Sequence, residues 1–191
     1  MKELFLSASV PVPSRGKYHE TADPFLIQFA VRELIAAAIR ECVVVWGGHP
    51  AITPMVWAIC NDLGVDYAKS TILYQSQFFE QFFPEENKHF GNTVIVPAIE
   101  DDRAGSLLRM RTEMLSRSAL SAAVFIGGME GVEEEFAMFR QFHPNAGVVA
   151  LGAPGGAARE LALKSSVSKP LSLESVDFAR IFREELLPML R

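Results

Sequence analysis

Three doubled glycines stand at or shortly after the ends of apolar runs in this chain. They are Gly47-Gly48, followed by His49 and Thr53; Gly127-Gly128, followed by Met129 and Gly131; and Gly155-Gly156, which follows Gly152 and Pro154. A fourth run ends in Ser7-Ala8-Ser9, small and hydroxyl-bearing. A glycine backbone approaches a phosphate or ribose closely and adopts positive φ without strain. If the runs are parallel strands, every one of these turns lies on the same sheet edge, where first helical turns offer free N–H groups and a positive dipole end. An anionic or sugar-bearing ligand suits such a floor. Each turn taken alone also reads as an ordinary tight strand-to-helix turn. The candidate ligand-binding residues are therefore Ser7, Ser9, Gly47, Gly48, His49, Thr53, Gly127, Gly128, Met129, Gly131, Gly155 and Gly156. Arg103 joins them because it follows Asp101-Asp102 beyond a strand end, where it meets either a phosphate or a local acid.

The same stretches exclude several chemistries. No turn matches the GxGxxG dinucleotide fingerprint or the GxxxxGK[ST] phosphate loop, which disfavours an ordinary dehydrogenase or nucleoside triphosphatase. No GxSxG elbow occurs. His19, His89 and His143 stand at no metal-ligand spacing with Cys, Asp or Glu, so no metal is expected, and no cofactor.

Positioning those turns requires alternating strands and helices. Apolar runs at Leu4–Ala8, Cys42–Trp46, Ser70–Tyr74, Thr93–Val96, Ala122–Ile126 and Gly147–Leu151 predict strands, several nearly continuous in Val, Ile, Leu and Phe as in sheets buried on both faces. Asp23-Pro24 caps a helix over Phe25–Arg40. Further helices are predicted at Thr53–Leu63, Ser76–Phe83, Gly105–Arg117, Val132–Phe142, Gly156–Lys164 and Leu173–Leu190. Phe78, Phe79, Phe82 and Phe83 would give the Ser76–Phe83 helix a broad apolar face, either core packing or a subunit contact. The alternation predicts an α/β fold of Rossmann-like type, a three-layer α/β/α sandwich with a mostly parallel central sheet. No repeat or linker interrupts it, so residues 1–191 are expected to form one domain.

Composition narrows the function. With 18 Lys and Arg against 23 Asp and Glu, the formal charge of −5 argues against a duplex nucleic-acid partner, which needs many phosphate contacts. No run of 18 apolar residues appears, so no membrane span is expected. Cys42 and Cys60 sit in apolar or helical patterns and read as buried reduced thiols of a cytoplasmic protein.

The stretch Met110–Phe136, with Arg111, Met114, Ser121 to Gly128 and a Glu-rich helix start, resembles the signature of the LOG-type phosphoribohydrolases, formerly called lysine decarboxylase-like proteins. That family carries an Arg-Lys pair, a strand and then PGGxGTxxE. The spacing from Arg111 to Gly127 equals the family's. Lys is replaced here by Thr112, Pro by Ile126, and Gly-Thr by Gly131-Val132 with one residue inserted, so the family's glutamate corresponds to Glu134 or Glu135. Phe5–Ser9 with Val10-Pro11, and Val43–Pro54, are similar to a stand-alone branch of the wider SLOG superfamily, which groups these enzymes with nucleotide-signal sensors of bacterial conflict systems.

The resemblance implies candidate catalytic roles for Arg111, Glu134 and Glu135: the arginine holds a phosphate or polarises a ribose, and a carboxylate stabilises an oxocarbenium-like state or activates water. On helix faces these residues also read as solvated charges. It further implies a homodimer or higher homo-oligomer. Two principal functions follow: a sensing domain for an NAD-, ADP-ribose- or nucleoside monophosphate-type ligand in a defence or signalling system, or a hydrolase of an N-glycosidic bond. A non-catalytic scaffold with a degenerate pocket is the third. Decay of the PGGxGTxxE motif favours the sensor.

Overall fold

The apolar runs become strands because helices cover them on both sides, leaving no solvated face to demand polar alternation. The computed structural model describes residues 2–64, 66, 70–164 and 169–190. Among them β1 (Glu3–Ser9), β2 (Val43–Gly47), β3 (Thr71–Ser76), β4 (Thr93–Val96), β5 (Leu120–Gly127) and β6 (Gly147–Ala150) form one sheet in the order β4-β3-β2-β1-β5-β6. Every neighbouring pair is parallel, so the sheet is parallel throughout and not merely mostly so.

Alternate strand residues feed two cores. Leu4, Leu6, Val44, Trp46, Val124 and Ile126 pack under α1 (Pro24–Ala38), α2 (Thr53–Asp62) and the C-terminal helical segment. On the other face, Phe5, Val45, Ala123 and Phe125 pack under α3 (Arg103–Leu115), α4 (Glu130–Phe142) and α5 (Gly156–Leu163). The Asp23 cap is made: its Oδ1 accepts from the amides of Phe25 and Leu26 at 2.9 and 3.1 Å. Cys42 and Cys60 are buried free thiols, pushed up by burial to about 12 and about 11.

Two helical predictions are corrected. Over Ser76–Phe83 the chain forms a 3-10 turn, Gln77–Phe82, capped by Ser76, with Phe79 outside helical geometry. Pro84 pushes the preceding Phe83 into extended backbone, which stops any α-helix there. None of the residues in that turn is buried, so its phenylalanines are not core. The predicted Leu173–Leu190 helix is broken into α6 (Pro170–Glu174), α7 (Phe178–Ile181), a π-helical stretch Phe182–Leu186 and a final 3-10 turn Leu187–Leu190. Ser175 is extended and Asp177 caps anew, accepting from Arg180 N at 3.1 Å; Pro188, lacking an N–H, denies the last turns a regular α ladder.

The topology locates the cleft. β1 to β4 step outward to one edge, and the chain then crosses back to place β5 on the other side of β1. α1 and α4, which follow β1 and β5, cover opposite faces, so the crevice opens beyond Ser9 and Gly127, which pair in register. Gly128 N–H donates to Ser9 O at 2.8 Å, and Ala157 N–H donates to Gly128 O at 2.9 Å. Gly155, at φ +78°, lies so close to the segment before α1 that a Cβ would meet Thr21 O at 1.9 Å. Replacing it by alanine in equilibrium denaturation is expected to cost about 3 kcal/mol, combining backbone strain with a main-chain clash. Gly64→Ala, at φ +60° but with open space around it, should cost only about 1 kcal/mol; equal losses would show that the Thr21 contact does not constrain the junction.

Candidate functional site

Along the carboxyl edge of the sheet, from β3 across β2 and β1 to the start of α4, runs a cavity of about 480 Å³. Its volume falls within the range of small-molecule sites. Three arginines (Arg15, Arg103, Arg111) and one glutamate (Glu135) line it, and two of those arginines are paired with glutamates.

At the β1 and α4 end the polar groups form a chain. Ser7 Oγ donates to Glu135 Oε2 at 2.6 Å, and Arg111 Nε donates to Glu135 Oε1 at 3.2 Å. Arg111 also pairs through Nη1 with Glu134. The Arg111 side chain is 12% exposed, whereas Glu134 is 59% exposed, so the first lies in the wall and the second at the rim. Arg111 comes from α3 and the glutamates from α4; the two helices pack side by side, bringing together groups 23 and 24 residues apart. Gly131 permits this, because a Cβ there would stand 2.7 Å from Arg111 Nη2. Arg15 pairs with Glu130, whose carboxyl, despite burial, is held below its ordinary range by that guanidinium. Tyr18 donates to Glu133 at 2.9 Å, and burial with that bond pushes its hydroxyl up to about 12.

At the β2 and β3 end the cavity is lined by Gly48, His49, Gln75, Ser76, Phe79, Phe82 and Phe83. His49 Nδ1 accepts from Ala51 N at 3.1 Å, which leaves any proton of the neutral ring on Nε2. Arg103 lies over the Phe79 ring, 5.8 Å from its centroid.

The predicted residues thus divide. Ser7, Ser9, Gly47, Gly48, His49, Arg103, Arg111, Met129, Gly131 and Glu135 line the cavity. Glu134 reaches it only through Arg111. Thr53 is wholly buried and accepts from Trp46 Nε1 and His49 N at 3.3 and 3.2 Å, so it braces the loop from behind. Gly127, Gly128, Gly155 and Gly156 do not line the cavity: a Cβ on Gly156 would lie 2.8 Å from Gly127 C and Gly128 O, so these turns pack on each other. Sequence reasoning missed Arg15, Gln75 and the Phe79–Phe83 wall as site residues. A polar side chain at the carboxyl end of a doubly covered strand was the available signal for Gln75; Arg15, in an irregular loop, had none.

Burial, reinforced by the Arg15 charge, holds the His49 imidazole below its ordinary value of about 6.5. The unfolded chain therefore takes up that proton at a higher pH than the folded one, and stability falls as pH drops through and below 6.5. His49→Asn keeps an acceptor for Ala51 N–H and loses the titration. Thermal melts from pH 7.5 to 5.5 should show a smaller decline for the variant; parallel declines would remove His49 from the pH response.

Comparison with known proteins agrees with this architecture. The crystal structure of TM1055, a structural-genomics target, superposes with a TM-score of 0.60 at 14% identity, covering 97% of this chain and 100% of that one, and shows the same fold. No curated protein matches the chain. The family model described as the SLOG cluster3 family matches residues 17–186, and the chain belongs to that family.

Proposed function

We propose that the chain binds a nucleotide-derived ligand of the NAD, ADP-ribose or nucleoside monophosphate type along its carboxyl-edge cavity and acts as a sensor of that ligand. The observation that carries the reading is the arginine held at one end of the cavity: Arg111, largely buried, sits between a rim carboxylate it can release and a wall carboxylate that positions it. A ligand phosphate would compete with Glu134 for Nη1. Exchange of that partner frees the first turn of α4, which is the change a sensor needs to pass occupancy to a partner or to a second copy of the chain. Membership of the SLOG family supports a nucleotide-related ligand, and the defence or signalling context and homo-oligomeric assembly belong to the same proposal.

A second reading rests on the Ser7–Glu135–Arg111 chain. An oriented carboxylate beside an arginine is what hydrolysis of an N-glycosidic bond requires: the C1′–N bond breaks, water adds to C1′, and the proton from water passes to the departing base. Motif decay and engagement of both Glu135 oxygens favour the sensor.

Thermal shift with AMP, NAD and ADP-ribose is expected to stabilise the protein, by about 2.7 kcal/mol at a hundredfold excess over Kd. Arg111→Ala should weaken binding about 30-fold, the worth of charge-assisted hydrogen bonds, while Glu134→Gln should tighten it severalfold by removing the competitor. Weakening by Glu134→Gln would refute partner exchange. A ligand-dependent change of mass in light scattering is the sensor outcome.

Chromatography of the same mixtures separates the readings. Intact ligand is expected; release of free base that disappears in Glu135→Gln would establish the hydrolase in its place.

A further inference from the structure

The Gln75 side chain is the feature of the cavity that the phosphate end does not explain. Gln75 is 5% exposed and lines the cavity, so what its side chain leaves open faces that space. A few precisely placed polar side chains in a cavity wall are what orients a bound small molecule. The loop after β2 is shaped around it: a Cβ at Gly48 would lie 1.9 Å from Gln75 Nε2. Beside it stand Phe79, Phe82 and Phe83, with Phe82 63% exposed at the mouth and Arg103 over the Phe79 ring. Aromatic rings outside the core, next to a cavity-lining amide, are suited to a planar heterocycle.

We propose that this β3 end is a nucleobase subsite, in which Gln75 reads the base edge and the phenylalanines cover its faces. The inference rests on the ligand reading above and specifies its substrate class. Gln75 offers one acceptor and two donors, which match a base edge carrying a neighbouring donor and acceptor, as adenine does. Sheet order places the two ends apart: β3 and β5 are three strand intervals from each other, roughly 14 Å, with β2 and β1 between. The base then lies over β3 and β2, the ribose over β1, and the phosphate against Arg111 and the first turn of α4. Gln75 and the phenylalanines are specificity residues, and Arg111 serves every ligand alike.

Isothermal titration of the four nucleoside 5′-monophosphates and of ribose 5-phosphate tests the subsite. The tightest nucleotide is expected to bind about tenfold or more tightly than ribose 5-phosphate, which has the phosphate and sugar but no base. Gln75→Ala and Phe82→Ala should each bring that ratio towards one without changing ribose 5-phosphate affinity; Phe82 is exposed, so its loss does not endanger the fold. Arg111→Ala should weaken both ligand kinds equally. If ribose 5-phosphate binds as well as every nucleotide, or if Gln75→Ala and Phe82→Ala weaken both kinds alike, the base subsite is overturned while the phosphate site stands. If no nucleotide and no ribose 5-phosphate binds, the subsite and the ligand reading fail together.

Discussion

Where β1 and β5 end side by side, Gly128 N–H donates to Ser9 O and Ala157 N–H donates to Gly128 O. That main-chain contact joins three strand ends, because Gly156 packs directly on Gly127 and Gly128 and Gly155 on Thr21. A side chain at any of these points would push the layers apart. The close approach fixes where α4 begins, and the beginning of α4 fixes where Gly131, Glu134 and Glu135 stand relative to α3. The doubled glycines after β5 and β6 therefore shape the cavity edge indirectly, by setting the level at which α4 meets it.

Charge on this protein is arranged against its total. The chain is acidic, yet its cavity wall carries more arginines than carboxylates. Arg111 and Arg15 are each held by a glutamate from the first turns of α4, and Arg103 by an aromatic ring. Of the three only Arg111 is largely buried, and its guanidinium needs such a partner, since desolvation without one is costly. The glutamates also suit the positive end of the helix dipole. One set of acids thus satisfies the helix start and holds two of the arginines.

The opposite end of the cavity obeys different physics. Pro84 ends the 3-10 stretch that is kinked at Phe79, and the phenylalanines that a full helix would have carried into a core are left standing at the opening. Gln75 issues from the end of β3, where the strand still buries its neighbours but the next layer has stopped. An end of paired arginines and glutamates and an aromatic end meet across the glycine loop of β2.

By itself the sequence determined the layers, the parallel strands, the Asp23 cap and the edge on which the glycine turns gather, because burial on both faces and helix capping leave marks over a few adjacent residues. It also pointed to Arg111 with Glu134 or Glu135, through a spacing shared with a known family. Which glycines line the cavity and which pack on each other was decided only by the fold, since the same residue type meets both needs. So was the choice between the two glutamates, which differ by one step around α4 and hence in whether Ser7 or solvent lies opposite. The short 3-10 turn was a local contest between helical periodicity and the steric demand of Pro84. Gln75 gained its place from contacts between separate strands, and contacts of that range leave no periodic trace in the chain.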